Sequence, residues 1–282
     1  MLMSMPNQPV TLTFFLAILL MLTSLAGCGW LPGEYDETKD WSVDKIYSEA
    51  KEAMSDGNYE RAIKLFEKLQ ARYPFGRYAQ QAQLELIYAN FKAGEPDAAV
   101  AAADRFIRTY PRHPYVDYAY YMKGLVNFTR ESGALARLVP ADPSKTDTST
   151  ARQSYNDFAE LVQKFPNSQY AEDAQLRMLF LHNSLAAYEV NVAKYYLRRE
   201  AYVAAVNRAT YVLENYARTP AAADALAVMT QAYLRMGMKD LATASLRVLT
   251  LNYPTSPHIP ELNAQLTGSG SGSRSLFSRF SL

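Results

Sequence analysis

The side chain whose type and position point most directly to a reaction is Cys28, the only cysteine of the chain. It closes the tetrapeptide Leu25-Ala26-Gly27-Cys28, at the end of an apolar run from Val10 to Leu25. Small residues before a cysteine let an extended backbone enter the narrow cleft of a lipoprotein signal peptidase. The thiol takes a diacylglycerol, and cleavage leaves Cys28 as a lipidated N-terminus. The run is shorter than the ~20 residues of a spanning helix, so residues 1–27 read as a cleaved signal. The alternatives, an uncleaved anchor or an ordinary secretory signal, leave Cys28 incidental. Met1 to Pro9 carries no Lys or Arg, which is unusual for a signal peptide. Gly29, not Asp, follows the lipidated cysteine, and this predicts the outer membrane, on its periplasmic face. A multiply acylated terminus anchors a domain firmly.

No other group offers comparable chemistry. His113, His182 and His258 are far apart and have no cysteine beside them, so no metal is expected. The run Gly268 to Ser273 lacks the Lys-Ser/Thr pair of a phosphate loop, and no strand pattern precedes it. There is no Gly-x-Ser-x-Gly elbow. Carboxylates such as Glu172 and Asp173 read as solvated helix faces. The expectation is therefore no catalytic residue, no cofactor and no enzymatic activity. Disulfides are excluded by the cysteine count, so an apolar core must hold the chain together. With 29 basic and 28 acidic residues, the chain is not an evident nucleic-acid binder.

The elements that remain are helices in series. Hydrophobic residues make up 49% of the chain, with 21 tyrosines, and Ala beside large aromatics fills space between close helices. An aromatic-proline pair recurs at Tyr73-Pro74, Tyr110-Pro111, Phe165-Pro166 and Tyr253-Pro254, and Tyr216-Ala217 takes the same place once. Tyr73 and Tyr110 are 37 residues apart, as are Tyr216 and Tyr253. A period of this length, built from two helices, is that of the tetratricopeptide (TPR) repeat. Within the first unit Gly57 can end one helix in the left-handed conformation and Asn58 can cap the next. Pro96 suits a first helical position, and Thr219-Pro220 reads as a cap followed by a first turn. The fold class predicted is all-α, an α-solenoid of about five TPR helix pairs.

The predicted organisation follows the chain. A lipidated tether occupies residues 28–43, and residues 44–130 hold repeats one and two and the start of three. An extended loop rich in Ser, Thr, Asp and Pro spans 131–150. Residues 151–266 hold the end of repeat three and repeats four and five. A flexible Gly/Ser tail spans 267–282. No Gly or Pro falls between Ser168 and Pro220, so one long helix from about Ser168 to Arg199 is expected, then a second to Tyr216. The long one exceeds a standard repeat and is a docking candidate.

Stacked helix pairs form a concave groove lined mainly by first helices. Phe75, Tyr78, Gln81, Leu84, Tyr88 and Phe91 fall on one such helix, and Tyr115, Tyr118, Tyr121 and Met122 on the next. Rings can bury the apolar side chains of an extended peptide, and amides such as Gln81, Gln83 and Asn90 can pair with its backbone. For any single tyrosine the competing reading is core packing.

Arg72-Tyr73-Pro74-Phe75-Gly76-x-Tyr78, Gln80-Gln81-Ala82-Gln83-Leu84-Glu85-Leu86-Ile87-Tyr88-Ala89, Asp104-Arg105-Phe106-Ile107-Arg108, His113-Pro114, Phe165-Pro166-Asn167-Ser168-x-Tyr170 and Val206-Asn207-Arg208 resemble the BamD family. These are TPR lipoproteins of the outer-membrane β-barrel assembly (BAM) machinery. The resemblance spans about Asp44 to Tyr253 and the lipobox, and leaves out the tail. It implies a scaffold for folding and inserting barrel proteins. The C-terminal repeats would dock on BamA, the barrel-forming subunit, with Arg208 at that contact. The N-terminal repeats would receive unfolded barrel proteins, with Phe75, Tyr78 and Tyr88 in the substrate region, and BamC and other BAM lipoproteins would lie alongside. On the residues alone, Arg208 reads as an intrachain surface pair of little worth. Another TPR lipoprotein, such as a secretin pilotin, is the competing function, and a cell-wall enzyme or its activator is a third.

Overall fold

The computed structural model describes residues 36–131 and 148–268. Cys28, the signal segment, most of the tether, the centre of the 131–150 loop and the tail from Ser269 lie outside the described residues. Those described form eleven α-helices and no strand. In chain order these are α1 (Val43–Ser55), α2 (Tyr59–Arg72), α3 (Arg77–Lys92), α4 (Pro96–Thr109), α5 (Val116–Glu131), α6 (Ser149–Lys164), α7 (Ala171–Arg198), α8 (Tyr202–Asn215), α9 (Ala221–Arg235), α10 (Lys239–Asn252) and α11 (Ile259–Leu266). Each packs on the next, and α1–α3, α3–α5 and α7–α9 also touch. This is the stacking of five helix pairs, closed by α11 against α9 and α10.

The aromatic-proline punctuation has a structural cause. Tyr73, Tyr110, Phe165, Tyr216 and Tyr253 are the C-caps of the second helices α2, α4, α6, α8 and α10. Each backbone N–H still reaches the carbonyl four residues back, at 2.7–2.8 Å, while its φ has left the helical range. A following proline disfavours the helical conformation of the residue before it, so the helix ends there. Tyr216 does the same without proline.

The turn inside a pair is also repeated. Gly57 has φ +76°, and the N–H of Asn58 reaches the Ala53 carbonyl at 2.8 Å while its side chain caps α2 at Arg61 N. Only a residue tolerant of positive φ can make that reversal. The turns before α4 and α10 use Gly94 and Gly237 in the same way. The fourth pair uses Glu200, at φ +61°, with Ala201 N–H on the Tyr196 carbonyl at 3.0 Å. Thr219 is not a cap for α9: its hydroxyl turns back to donate to the Tyr216 carbonyl at 2.8 Å.

The core alternates small and large side chains. Ala50, Ala62, Ala82, Ala99 and Ala103 are fully buried beside Phe66 and Phe106. Gly124 of α5 meets the buried ring of Phe158 on α6, and a Cβ there would lie 2.7 Å from it. The long helix α7 does not project free. Val192, Ala193, Lys194 and Leu197 near its C-terminus are buried, and its extra turns pack on α9 as well as α8. Its exposed apolar residues, Leu176, Leu179 and Phe180, lie in the other half.

Residues 36–40, which composition assigns to the tether, form a turn fastened to α2. Asp36 accepts from Lys68 Nζ at 2.7 Å and Arg72 Nη2 at 3.3 Å, and Arg72 also donates to the carbonyl of buried Thr38. Hydrogen bonds from Lys68, foremost, and from the hydroxyl and backbone N–H of Thr38 hold the Asp36 carboxyl well below the usual range.

Candidate functional site

Two surfaces follow from this scaffold. The first runs over the first helices of pairs one to four. Tyr47 of α1 and Tyr78 of α3 have ring centroids 5.4 Å apart. The Tyr78 hydroxyl donates to Asp44, and Arg77 lies over its ring. Glu85, one helical stretch on, accepts from Lys51 Nζ at 2.7 Å and from Tyr47 at 3.4 Å. Tyr88 is half-buried, edge-on to Tyr59 at 6.4 Å. On α5, Tyr121 stacks on Tyr170 at 4.7 Å and donates to Asp173 at 2.7 Å, and Tyr118 packs on the same Tyr170 ring at 5.8 Å. Burial, aided by Glu85, pushes the Tyr47 hydroxyl up to about 12 and Tyr118 further. Several of the hydroxyls are held by carboxylates, and the residues offer ring surface.

The expected site residues separate on this surface. Tyr78 and Tyr88 lie ten positions apart on α3, each half-buried and each in contact with another ring. Phe75 sits in the turn before α3, with 88% of its surface exposed. Asn90 is not a groove amide: it is buried and donates to its own helix at the Leu86 carbonyl. Met122 is core. Tyr47, Tyr59, Tyr170, Glu85 and Asp173 join the surface although sequence reasoning did not place them there. Their signal, an aromatic or acidic residue on or beside a helix, is too common to single them out.

The second surface centres on a buried carboxylate. Glu189 of α7 is 1% exposed. Its Oε1 accepts from Arg152 Nη2 of α6 at 3.0 Å and its Oε2 from Arg208 Nη1 of α8 at 2.9 Å. Arg152 also donates to the Tyr211 hydroxyl and to Thr148. Arg208 is thus in an intrachain pair, yet not the weak surface pair read from the sequence, because its partner is buried. Its own side chain is 45% exposed. A related hub joins α7, α9 and the start of α11: Asp224 accepts from Lys194 Nζ at 2.7 Å and faces His258 Nε2 at 2.9 Å.

Among the described residues no group of three His, Cys, Asp or Glu is placed to hold a metal ion. His113 and His182 lie against aromatic rings. Among the same residues no helix is long and apolar enough to cross a membrane.

Comparison with known proteins adds the following. The YfiO family, described as an outer membrane lipoprotein, matches residues 39–249. An outer membrane protein assembly factor BamD from Neisseria meningitidis serogroup A is 43% identical over 240 residues, covering 85% of this chain and 90% of the relative. The factor of that name from Xylella fastidiosa (strain Temecula1) is 42% identical, covering 87% and 85%. That from Vibrio cholerae is 38% identical, covering 83% and 96%. Among solved structures, a TPR protein of Thermus thermophilus covers 81% of this chain and 98% of itself at 14% identity and a TM-score of 0.33. The fold assignment rests on the helix pairs themselves.

Proposed function

Because this chain belongs to the YfiO family of outer membrane lipoproteins, with relatives that are outer membrane protein assembly factors, we propose that it is a lipid-anchored scaffold of β-barrel assembly. Cys28 carries the anchor and holds the solenoid on the periplasmic face of the outer membrane. The C-terminal repeats dock on BamA, and Arg208 pairs there with a partner carboxylate. BamC and other lipoproteins of the machinery lie alongside. The N-terminal repeats receive unfolded barrel proteins, whose apolar side chains settle on the rings around Tyr78 and Tyr88, with Phe75 at the edge.

The observation that carries the reading is the Glu189 clamp. A buried carboxylate holds Arg208 by one hydrogen bond while 45% of the arginine side chain stays exposed, and a planar guanidinium within reach of solvent suits bidentate pairing across an interface. The exposed ring of Phe75 supports the substrate end, since a large apolar ring in water is a ready contact for an extended chain.

Extraction of the full lipoprotein in mild detergent tests the proposal. The expected result is recovery of BamA with it, reduced by Arg208→Gln. Recovery of the lipoprotein alone would sink the scaffold reading; an undiminished complex with Arg208→Gln would remove Arg208 from the contact.

A further inference from the structure

The second helix of the last pair differs from the others along one stripe. On α10, Leu241, Ala244, Val248 and Leu251 recur at i, i+3, i+7 and i+10, the spacing of a helix-packing seam, and all four are exposed, Leu251 by 70%. The repeat itself does not require this. Counted back from the C-cap aromatic, the same four places hold Arg61, Lys64, Lys68 and Ala71 on α2, and Gln153, Asn156, Glu160 and Gln163 on α6. On α4 they are two alanines and two arginines; on α8 the one large ring among them, Tyr211, is half-buried and accepts from Arg152. The one helix after α10 among the described residues, α11, leaves the stripe open. Its Leu262 packs with Leu246 and Leu249, on the face already buried, and its eight residues run along little more than half the length of α10's fourteen. A terminal repeat ordinarily ends in a polar outer face, so an apolar seam here calls for a cover.

We propose that the cover is this chain's own segment 274–282, seated along the α10 stripe. Leu276, Phe277 and Phe280 are the first large apolar side chains after α11. Their i, i+1, i+4 spacing puts them on one side of a helical turn, with Arg274 and Arg279 flanking it. Between α11 and this motif stand only Thr, Gly and Ser. A Gly/Ser linker of six residues spans about 12–15 Å on average, while packed helices lie ~8–10 Å apart. Because α11 itself packs on α9 and α10, the motif starts within reach of the stripe. A tether of that length presents it at an effective concentration of order millimolar. A short apolar contact that a free peptide would hold weakly is then sufficient, and no second molecule is needed. The inference does not depend on the partners proposed above.

The test is disulfide trapping in the full-length lipoprotein, in isolated membranes. Ala244→Cys combined with Ser278→Cys is expected to give an intrachain crosslink on mild oxidation, seen as a reducible shift in gel mobility that neither single variant shows. Thr243→Cys with Ser278→Cys moves one thiol off the stripe by a single residue and is expected to crosslink at least about tenfold more slowly. Adding Phe277→Ser and Phe280→Ser to the first pair is expected to slow it by a similar factor. Both changes lie on exposed or tail positions, and helical circular dichroism should not move. No crosslink from the first pair, equal rates for the two pairs, or a rate indifferent to loss of both rings each overturns the docking. A dimer of this chain, or an adduct with another protein, formed by Ala244→Cys alone would give the stripe to that occupant and overturn it as well.

Discussion

Replacing Glu189 by Gln tests the clamp on which the second surface depends. The carboxylate accepts one hydrogen bond from each of two arginines, at 3.0 and 2.9 Å. Gln can keep one through its amide oxygen, but its NH2 group then faces the other guanidinium, donor against donor. One hydrogen bond to a charged group is lost, worth about 1.5–3 kcal/mol. The freed guanidinium is 41% or 45% exposed and rehydrates, so the ~3–5 kcal/mol of a stranded buried charge does not apply in full. The expected loss is about 2–3 kcal/mol. With urea m-values of about 1–3 kcal/mol/M, this lowers the unfolding midpoint by roughly 1 M. Arg208→Ala is expected to cost about 1.5–3 kcal/mol by the same count, and the double variant less than the sum of the two. Circular dichroism at increasing urea on the full-length protein reads all three. A midpoint for Glu189→Gln within about 0.2 M of the unaltered protein would refute the clamp as a structural device. The clamp also governs how Arg208 should be probed. A carboxylate placed there would face buried Glu189, so charge reversal would disturb the fold as well as the contact, whereas Gln does not.

Three further outcomes follow from other positions. Gly124→Ala gains about 1 kcal/mol of helix propensity but drives a methyl into the Phe158 ring; overpacking at about 1–3 kcal/mol should win, and a raised melting temperature would show that the ring yields freely. Glu200→Gly relieves a left-handed residue and should stabilise by up to about 1 kcal/mol, checked by the same urea titration. Burial raises the Asp224 carboxyl, but hydrogen bonds from His258 and Lys194 outweigh it and hold its pKa at about 2. Its contribution is therefore complete above the ordinary Asp value and is lost as pH falls towards 2; the stability gap to Asp224→Asn should close over that window, and a gap constant down to pH 2 would contradict the pairing.

Much of the fold is legible because it is local. Ala62, Phe66 and Leu69 share one helical face whatever surrounds them, and Tyr73 before Pro74 ends a helix through its own backbone sterics. The left-handed reversal at Gly57 is written in the residue that tolerates it. Where the chain departs from that code, reading fails. Glu200 makes the same reversal without a glycine, and Thr219 looks like a cap but bonds backwards. Asp173, read as part of a solvated face, holds Arg177 and Tyr121.

The sequence by itself determined the class of the protein: a lipobox, a 37-residue rhythm and strings of a family pattern, each a property of neighbouring residues. The tertiary structure decided what the polar side chains do. Arg152, Glu189 and Arg208 lie 37 and 19 positions apart, and Asp36 lies 36 residues before Arg72. No rule of spacing within one helix relates them. Whether a glutamate is a solvated ornament or the buried centre of a clamp depends on which helix the stacking lays over it, because only burial turns a weak surface attraction into an interaction that orients its partners.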